Sequence, residues 1–210
     1  MKKLVYGMAA AAAMLTATSA SAAISFIPGS AAPLPGSTLV ADFDTTNGPL
    51  TGSGFVIQPN TDVEGAQPAF GLQGNYLSVL GGGVANFTFA TAVNDLSFIY
   101  GSADTYNSLT VFFNGGANSQ TFTGSEIVGA GNATGNRFAA NSNGTVRLFG
   151  FTGGITGLRL NSGQNSFEID NLRANAVPEP GTWAMMLLGF GAVGFAMRRR
   201  SKGAYLPQAA

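Results

Sequence analysis

The sequence contains neither cysteine nor histidine among its 210 residues. Without cysteine there is no disulfide framework and no thiol nucleophile. The absence of both residues also excludes the usual zinc and copper ligand sets and the Ser-His-Asp and Cys-His triads. Stability must therefore come from packing, and any catalysis would have to rely on carboxylates.

Lysine is missing from the long central segment, residues 23–176. This body carries nine acidic side chains and four arginines, a formal charge of −5, and the remaining basic residues lie in the two ends. Because phosphate binding needs clustered Lys or Arg, an acidic and lysine-free body argues against a nucleic-acid partner. A body of about 154 residues is large enough for one hydrophobic core, which predicts one domain.

The first 22 residues have the order of a secretory signal peptide. Two lysines precede an alanine-rich apolar stretch, and Ala20 and Ala22 form a small-x-small cleavage site before Ala23. We therefore predict a signal helix at residues 1–22, cleavage after Ala22 and export by the Sec machinery.

The body has the composition and periodicity of a β-protein. Glycine and asparagine mark its turns, and phenylalanine, valine, isoleucine and threonine favour strands. Alternation places Leu96, Phe98 and Tyr100 on one face of a strand. No stretch of the body has a helical period. These features predict an all-β fold, an antiparallel β-sandwich of jelly-roll type at residues 38–176, after a flexible lead-in at residues 23–37.

A second apolar run, residues 182–197, contains no charged residue. As a helix, these residues would extend about 24 Å, less than the ~30 Å hydrocarbon core of a bilayer. Trp183 lies at one boundary and three arginines lie at the other, which agrees with the interfacial preference of indole and with the positive-inside rule. We predict one transmembrane helix at residues 182–197, with the body outside the inner membrane and a cytoplasmic tail at residues 201–210.

The approach to this run contains Pro178, Glu179 and Pro180, followed after two residues by Trp183 and Ala184. The prolines favour an extended, accessible peptide. Residues 177–200 resemble a PEP-CTERM sorting signal, which joins such a motif to an apolar helix and a final arginine cluster, here Arg198, Arg199 and Arg200. The resemblance implies processing by an exosortase, a membrane-embedded cysteine transpeptidase of bacteria that make extracellular polysaccharide.

The body is similar to a group of exosortase-dependent surface proteins in which a Gly-Ser-x-Asp-x-Tyr-Asn stretch follows a strand. Here the stretch consists of Gly101, Ser102, Asp104, Tyr106 and Asn107. The resemblance implies a location at the cell surface or in the extracellular matrix. It implies no enzymatic activity.

The same stretch is a candidate sugar-binding loop. Tyr100 and Tyr106 are residues that can stack on a pyranose ring, and Asp104 and Asn107 can bond its hydroxyls. The alternative is a plain turn in which Asp104 caps backbone N–H groups.

Oxygen ligands of the kind that Ca²⁺ prefers occur in this loop and in the last predicted strand. The candidates are Asp104, Asn107, Glu168, Asp170 and Asn171. No EF-hand or nonapeptide spacing is present, so we expect no cofactor and keep calcium as an alternative.

Two carboxylate pairs at i, i+2 spacing, Asp42 with Asp44 and Glu168 with Asp170, leave a glycoside hydrolase open as a further alternative. The simpler interpretation is that these acids are solvated or cap turns. The sequence therefore favours a non-enzymatic exported protein of the cell surface or of extracellular polysaccharide and biofilm, with a carbohydrate-binding module as the main alternative.

Overall fold

The computed structural model describes residues 22–70, 73–176 and 180–200. Residues 1–21, which include Ala20 of the predicted cleavage site, the motif residues Pro178 and Glu179, and the tail at residues 201–210 lie outside the described residues. Ala23, the first residue after the predicted cleavage site, is the first residue of a strand.

The described residues form nine strands, one short and one long α-helix, and a 3-10 turn at Ala140–Ser142. The strands are β1 (Ala23–Pro28), β2 (Thr38–Ala41), β3 (Leu50–Gln58), β4 (Tyr76–Gly101), β5 (Asn107–Phe113), β6 (Asn118–Thr123), β7 (Gly144–Phe149), β8 (Ile155–Ser162) and β9 (Phe167–Ala176). The helices are α1 (Gly124–Val128) and α2 (Pro180–Arg200). All strand pairs are antiparallel.

The strands form one continuous sheet whose two halves are joined by β3 and β4. In the first half, residues 77–79 of β4 lie between β3 and β9, and residues 96–100 of β4 lie between β9 and β7. In the second half, residues 84–87 of β4 lie between β3 and β8, and β8 continues to β5 and β6. A strand that takes part in both halves makes the sheet curl over.

The crossing point depends on two glycines that approach each other closely. The register of β3 against β4 shifts between Ser53 and Phe55, and Gly54 there has a φ of +70°. A Cβ on Gly83 would lie 2.0 Å from the Gly54 carbonyl oxygen. Side chains at these positions would therefore prevent the two strands from turning together.

Both halves contribute to one hydrophobic core. Leu109 and Leu158 from the second half belong to the same buried cluster as Phe98 and Phe167 from the first half. The Tyr100 and Phe167 rings lie 4.7 Å apart between centroids. The prediction of an antiparallel β-fold around one core is thereby confirmed.

The structure differs from the sequence prediction at three places. Residues 23–28, assigned to a flexible lead-in, form β1 and pair with β7. The strand β6 pairs with β5 although its sequence, NSQTFT, is mostly polar and has no alternating apolar residues. A five-residue helix, α1, follows β6 because Thr123 and Glu126 form a capping box. So short a helix has no period that a sequence could reveal.

The helix α2 includes all of residues 182–197. Within residues 22–70, 73–176 and 180–200, no helix combines the length and the apolar character needed to cross a membrane. The helix predicted at residues 182–197 is thus present, but within the described ranges it does not have the length and apolar character of a membrane span. Its uncharged part would extend only about 24 Å.

Candidate ligand-binding cleft

A polar pocket of about 330 Å³ lies at one end of the sheet. Its walls come from the loop after β3, the loop after β4, the loop before β7 and the turn before β9. Three carboxylates line it, those of Asp62, Asp104 and Glu168. Two of these, Asp104 and Glu168, were candidates from the sequence.

Glu168 is a buried carboxylate whose oxygens are held by the protein. Its side chain is 2% exposed. Oε2 accepts a hydrogen bond of 2.9 Å from Ser102 Oγ, and Oε1 accepts one of 3.1 Å from the Ala66 backbone N–H. The Ser166 hydroxyl also donates to Oε1. Burial raises the pKa of Glu168, and these hydrogen bonds oppose the rise. Glu168 thus ties three loops together at the pocket.

Asp104 and Tyr106 form a hydrogen-bonded pair at the pocket wall. The Tyr106 hydroxyl lies 2.6 Å from Asp104 Oδ2 and 2.8 Å from the Asn165 carbonyl oxygen. The single proton of the phenol can be donated to either oxygen. Burial raises the pKa of Asp104, and the hydrogen bond from Tyr106 opposes the rise.

A glycine lets the loop before β7 approach Asp104. Gly135 has a φ of +65°, and a Cβ there would lie 2.5 Å from Asp104 Oδ1. Its backbone N–H donates a 2.9 Å hydrogen bond to the Ala103 carbonyl oxygen. At Gly135 the wall of the pocket therefore consists of backbone.

An exposed aromatic ring lies beside this pocket. Phe138 is 76% exposed, and Arg137 Cζ lies 4.5 Å from its ring centroid. Both residues line a groove of about 240 Å³ together with Thr61 and Gln67. Because Thr61 precedes Asp62 and both cavities use the loop before β7, we treat pocket and groove as one feature, the loop cleft.

Phe138 was missed by sequence reasoning. It lies in the segment "GNRFAANSNG", outside every alternating run of apolar residues. The sequence did contain a signal, because Phe138 is a single aromatic residue among small and polar residues. An aromatic side chain outside any alternating strand pattern is not expected in the core, which suggests a role at the surface.

Tyr100 and Asn107 require a correction, because they cannot reach a ligand in the loop cleft. Tyr100 is completely buried, and Asn107 is 1% exposed. Asn107 Nδ2 donates to the Tyr100 hydroxyl at 3.0 Å, and Asn107 Oδ1 accepts from Ser162 Oγ at 2.8 Å. Of the predicted sugar-binding residues, only Asp104 and Tyr106 line the pocket.

The calcium candidates separate into two places. Asp104 and Glu168 line the pocket, whereas Asp170 interacts with the charges of Asp42 and Asp44. Burial and these two charges raise the pKa of Asp170 to about 7. In the part of the chain that the structure describes, no three acidic side chains are placed to hold a metal ion.

The carboxylate pairs also take different roles. Asp42 accepts hydrogen bonds of 2.9 Å from the backbone N–H groups of Thr45 and Thr46, as a turn cap does. Asp44 accepts a 2.8 Å hydrogen bond from the backbone N–H of Asn75. Glu168 lines the pocket but Asp170 does not, so this pair does not flank a common site.

Comparison with known proteins gives one match in sequence and several in structure. Residues 176–200 match the family model of the PEP-CTERM protein-sorting motif, so the sorting motif predicted there is confirmed. No curated protein matches the chain in sequence.

The solved structures that resemble the chain include an adhesin domain and carbohydrate-binding modules. The K2 cleaved adhesin domain of Lys-gingipain is 12% identical, with 68% of this chain and 99% of that chain covered, at a TM-score of 0.45. A carbohydrate-binding module of Cellvibrio mixtus lichenase 5A is 15% identical, with 67% and 98% covered, at a TM-score of 0.36. A module from Clostridium stercorarium is 11% identical, with 67% and 94% covered, at a TM-score of 0.35.

Proposed function

We propose that this chain is an exported bacterial protein of the cell surface or extracellular matrix, which an exosortase recognises and processes at its C-terminal motif. The observation that carries the proposal is the match of residues 176–200 to the sorting motif. The signal-peptide pattern at residues 1–22 supports export. Exosortase and the export machinery are therefore the proposed partners.

The body is proposed to be a non-enzymatic, jelly-roll-like β-sandwich associated with extracellular polysaccharide. The absence of histidine and cysteine supports this, since it removes the commonest nucleophiles and bases. The engagement of both Glu168 oxygens by Ser102, Ser166 and Ala66 gives this carboxylate a structural role.

Replacement of Pro178, Glu179 and Pro180 by alanine tests the sorting proposal. The altered chain should accumulate in unprocessed form and be lost from the surface and the medium. Replacement of Pro33 and Pro35 by alanine is the control, because it removes two prolines far from the motif. If the motif variant is processed and released as efficiently as the control, the sorting proposal is overturned.

A second proposed function is recognition of a glycan in the loop cleft. The observation in its favour is that Phe138, a ring exposed by 76%, lines a groove formed by two of the loops that also form the polar pocket. A flat aromatic face suits the C–H face of a sugar, and the Asp62, Asp104 and Tyr106 side chains can bond its hydroxyls. This proposal does not require calcium.

Binding of neutral oligosaccharides and of polysaccharide from the producing cells, measured by calorimetry on the full chain, tests this function. Phe138→Ala should weaken binding about tenfold, since an aromatic contact contributes about 0.5–1.5 kcal/mol beyond its buried area. Phe149→Ala is the control, because this ring is 41% exposed but lies on β7 outside the cleft. Absence of binding to every glycan overturns the proposal. Loss of binding in the presence of a chelator would show that recognition of the glycan depends on calcium.

A further inference from the structure

A second cavity lies on the outward face of the second half of the sheet, away from the loop cleft. This groove has a volume of about 580 Å³. Its lining includes Thr51, Asn86, Thr88, Phe112, Thr156 and Arg159. We call it the sheet groove.

The strand register brings these polar residues into one row. Thr51 lies opposite Asn86, Asn86 opposite Arg159, and Arg159 opposite Thr110. Their neighbours along β4 and β8, among them Ala85 and Leu158, are buried in the core. Because side chains alternate along a strand, the row faces outward.

The floor of the sheet groove exists because one position lacks a side chain. Gly157 lies opposite Thr88 on one side and opposite Phe112 on the other. A Cβ at Gly157 would lie 2.8 Å from the Phe87 carbonyl oxygen. Glycine at this position therefore keeps a trough open between the Phe112 ring and the Thr88 hydroxyl.

Arg159 is held in place at the side of this trough. Its Nε donates a 3.0 Å hydrogen bond to Asn86 Oδ1, and its Cζ lies 5.3 Å from the Phe112 ring centroid. Its terminal nitrogens make no hydrogen bond to any residue within the described ranges. A positioned guanidinium with free donors is well suited to a carboxylate, which it can bind through two parallel hydrogen bonds.

The charge around the sheet groove differs from that of the rest of the body. The strands β5, β6 and β8 contain no Asp or Glu, and neither do residues 50–53 of β3 and 84–88 of β4. Of the residues that the structure describes, Arg159 is the one charged residue that lines the groove. An acid-free surface with one cation, in a body of formal charge −5, favours an anionic ligand at this place.

We propose that the sheet groove binds a carboxylate-bearing polysaccharide, a chain that contains uronic acids. Arg159 pairs with the sugar carboxylate, the threonine and asparagine side chains of the row bond hydroxyls, and the Phe112 ring contacts the C–H face of the sugar. The inference rests on the proposed function to the extent that it places the protein in extracellular polysaccharide.

Calorimetric titration of the full chain with oligogalacturonate, and with its methyl-esterified form as the uncharged counterpart, tests this inference. Arg159→Gln should lower the affinity for oligogalacturonate about tenfold or more, because it removes a charge-assisted hydrogen bond. Arg159→Lys should recover part of the affinity, since lysine keeps the charge but lacks the planar guanidinium that donates two parallel hydrogen bonds to a carboxylate. Added salt should weaken the binding of the wild type.

The matched control is Arg173→Gln, which makes the same change of charge on β9, outside the sheet groove and the loop cleft. Unchanged oligogalacturonate affinity in Arg173→Gln, together with a loss in Arg159→Gln, supports the inference. Equal binding by wild type and Arg159→Gln overturns it, and so does equal affinity for the charged and esterified probes. Neither overturning result affects sorting, which is measured by processing, or glycan binding in the loop cleft, which is measured with Phe138→Ala.

Discussion

Asn107 Nδ2 donates a 3.0 Å hydrogen bond to the Tyr100 hydroxyl inside the core. Tyr100 lies near the end of β4 and Asn107 begins β5, so the bond joins the two strands beneath the loop that carries Asp104 and Tyr106. Ser162 Oγ donates to the same asparagine from β8. Asn107 thereby links β4, β5 and β8 next to the loop that carries Asp104 and Tyr106.

Removal of this asparagine should destabilise the fold. Asn107→Ala removes the amide donor to the buried Tyr100 hydroxyl, whereas Ser162 Oγ keeps the Gln164 carbonyl oxygen as an acceptor. The substitution should cost about 1–3 kcal/mol of unfolding free energy. Urea denaturation measures the loss, with Ser119→Ala on the exposed strand β6 as the control. An Asn107→Ala midpoint equal to that of the control would show that the pair is not stabilising.

The pH dependence of stability should reveal Asp170. Its pKa in the folded protein is about 7, above the ordinary 3.8, because of burial and the charges of Asp44 and Asp42. The folded state thus holds a proton that the unfolded chain has released between about pH 4 and pH 7, and stability falls as the pH rises through this range. Asp170→Asn should therefore be neutral at pH 4 and stabilising by on the order of 1 kcal/mol at pH 8.

Asp42→Asn provides a control of opposite sign. Hydrogen bonds from Thr45 and Thr46 lower the pKa of Asp42 to about 2. Its contribution to stability is present above its ordinary pKa and is lost as the pH falls toward 2. The variant should be destabilised at pH 7 and should match the wild type near pH 2. Parallel pH profiles for Asp170→Asn and Asp42→Asn would contradict both assignments.

Gly135→Ala should disrupt the loop cleft more than a similar change elsewhere in the same loop. A Cβ at Gly135 would lie 2.5 Å from Asp104 Oδ1, whereas a Cβ at Gly131 would have no atom within 4 Å. Both glycines have positive φ, so both variants have the same kind of backbone penalty, roughly 1 kcal/mol. Glycan binding should fall in Gly135→Ala and persist in Gly131→Ala. Equal affinities would exclude Asp104 from the cleft's function.

The capping box of α1 gives a test of local structure. Thr123 Oγ1 accepts from the Glu126 N–H at 3.3 Å, and Glu126 Oε2 accepts from the Thr123 N–H at 2.7 Å. Thr123→Ala should lower the free energy of unfolding by about 1 kcal/mol. Thr123→Ser, which keeps the hydroxyl, should recover most of that loss in thermal denaturation. If Ser and Ala destabilise equally, the cap does not stabilise the helix.

The strands were predictable where alternation is local and the buried face is apolar. Leu96, Phe98 and Tyr100 lie on one face of β4, as their spacing indicates, and all three are buried. That spacing already predicts a buried Tyr100 side chain, and a buried ring is not accessible for stacking on a sugar. β1 was missed because its partner, β7, lies more than a hundred residues later in the sequence. In the sequence, the glycines of residues 81–83 indicate that a strand ends there. In the structure they lie within β4 and allow this one strand to continue from the first half of the sheet into the second.

The loop cleft was predictable only in part. Asp104 and Tyr106 could be identified because they lie in one short loop with Gly101 and Ser102. Asp62 and Phe138 come from loops far away in the sequence, and only the folded sheet brings them to the same end. The sheet groove was missed because its row crosses several strands, and no local pattern records which residues lie opposite one another.

Intact mass spectrometry of the chain from the cell surface and the medium, in cells with and without their exosortase, tests the central proposal most directly. We expect a mass that ends within residues 178–181 when the enzyme is present, with any excess mass reporting an attached group. Cells without the enzyme should retain a chain that still includes Arg198, Arg199 and Arg200. Chains with the same full-length C-terminus in both strains would contradict exosortase processing.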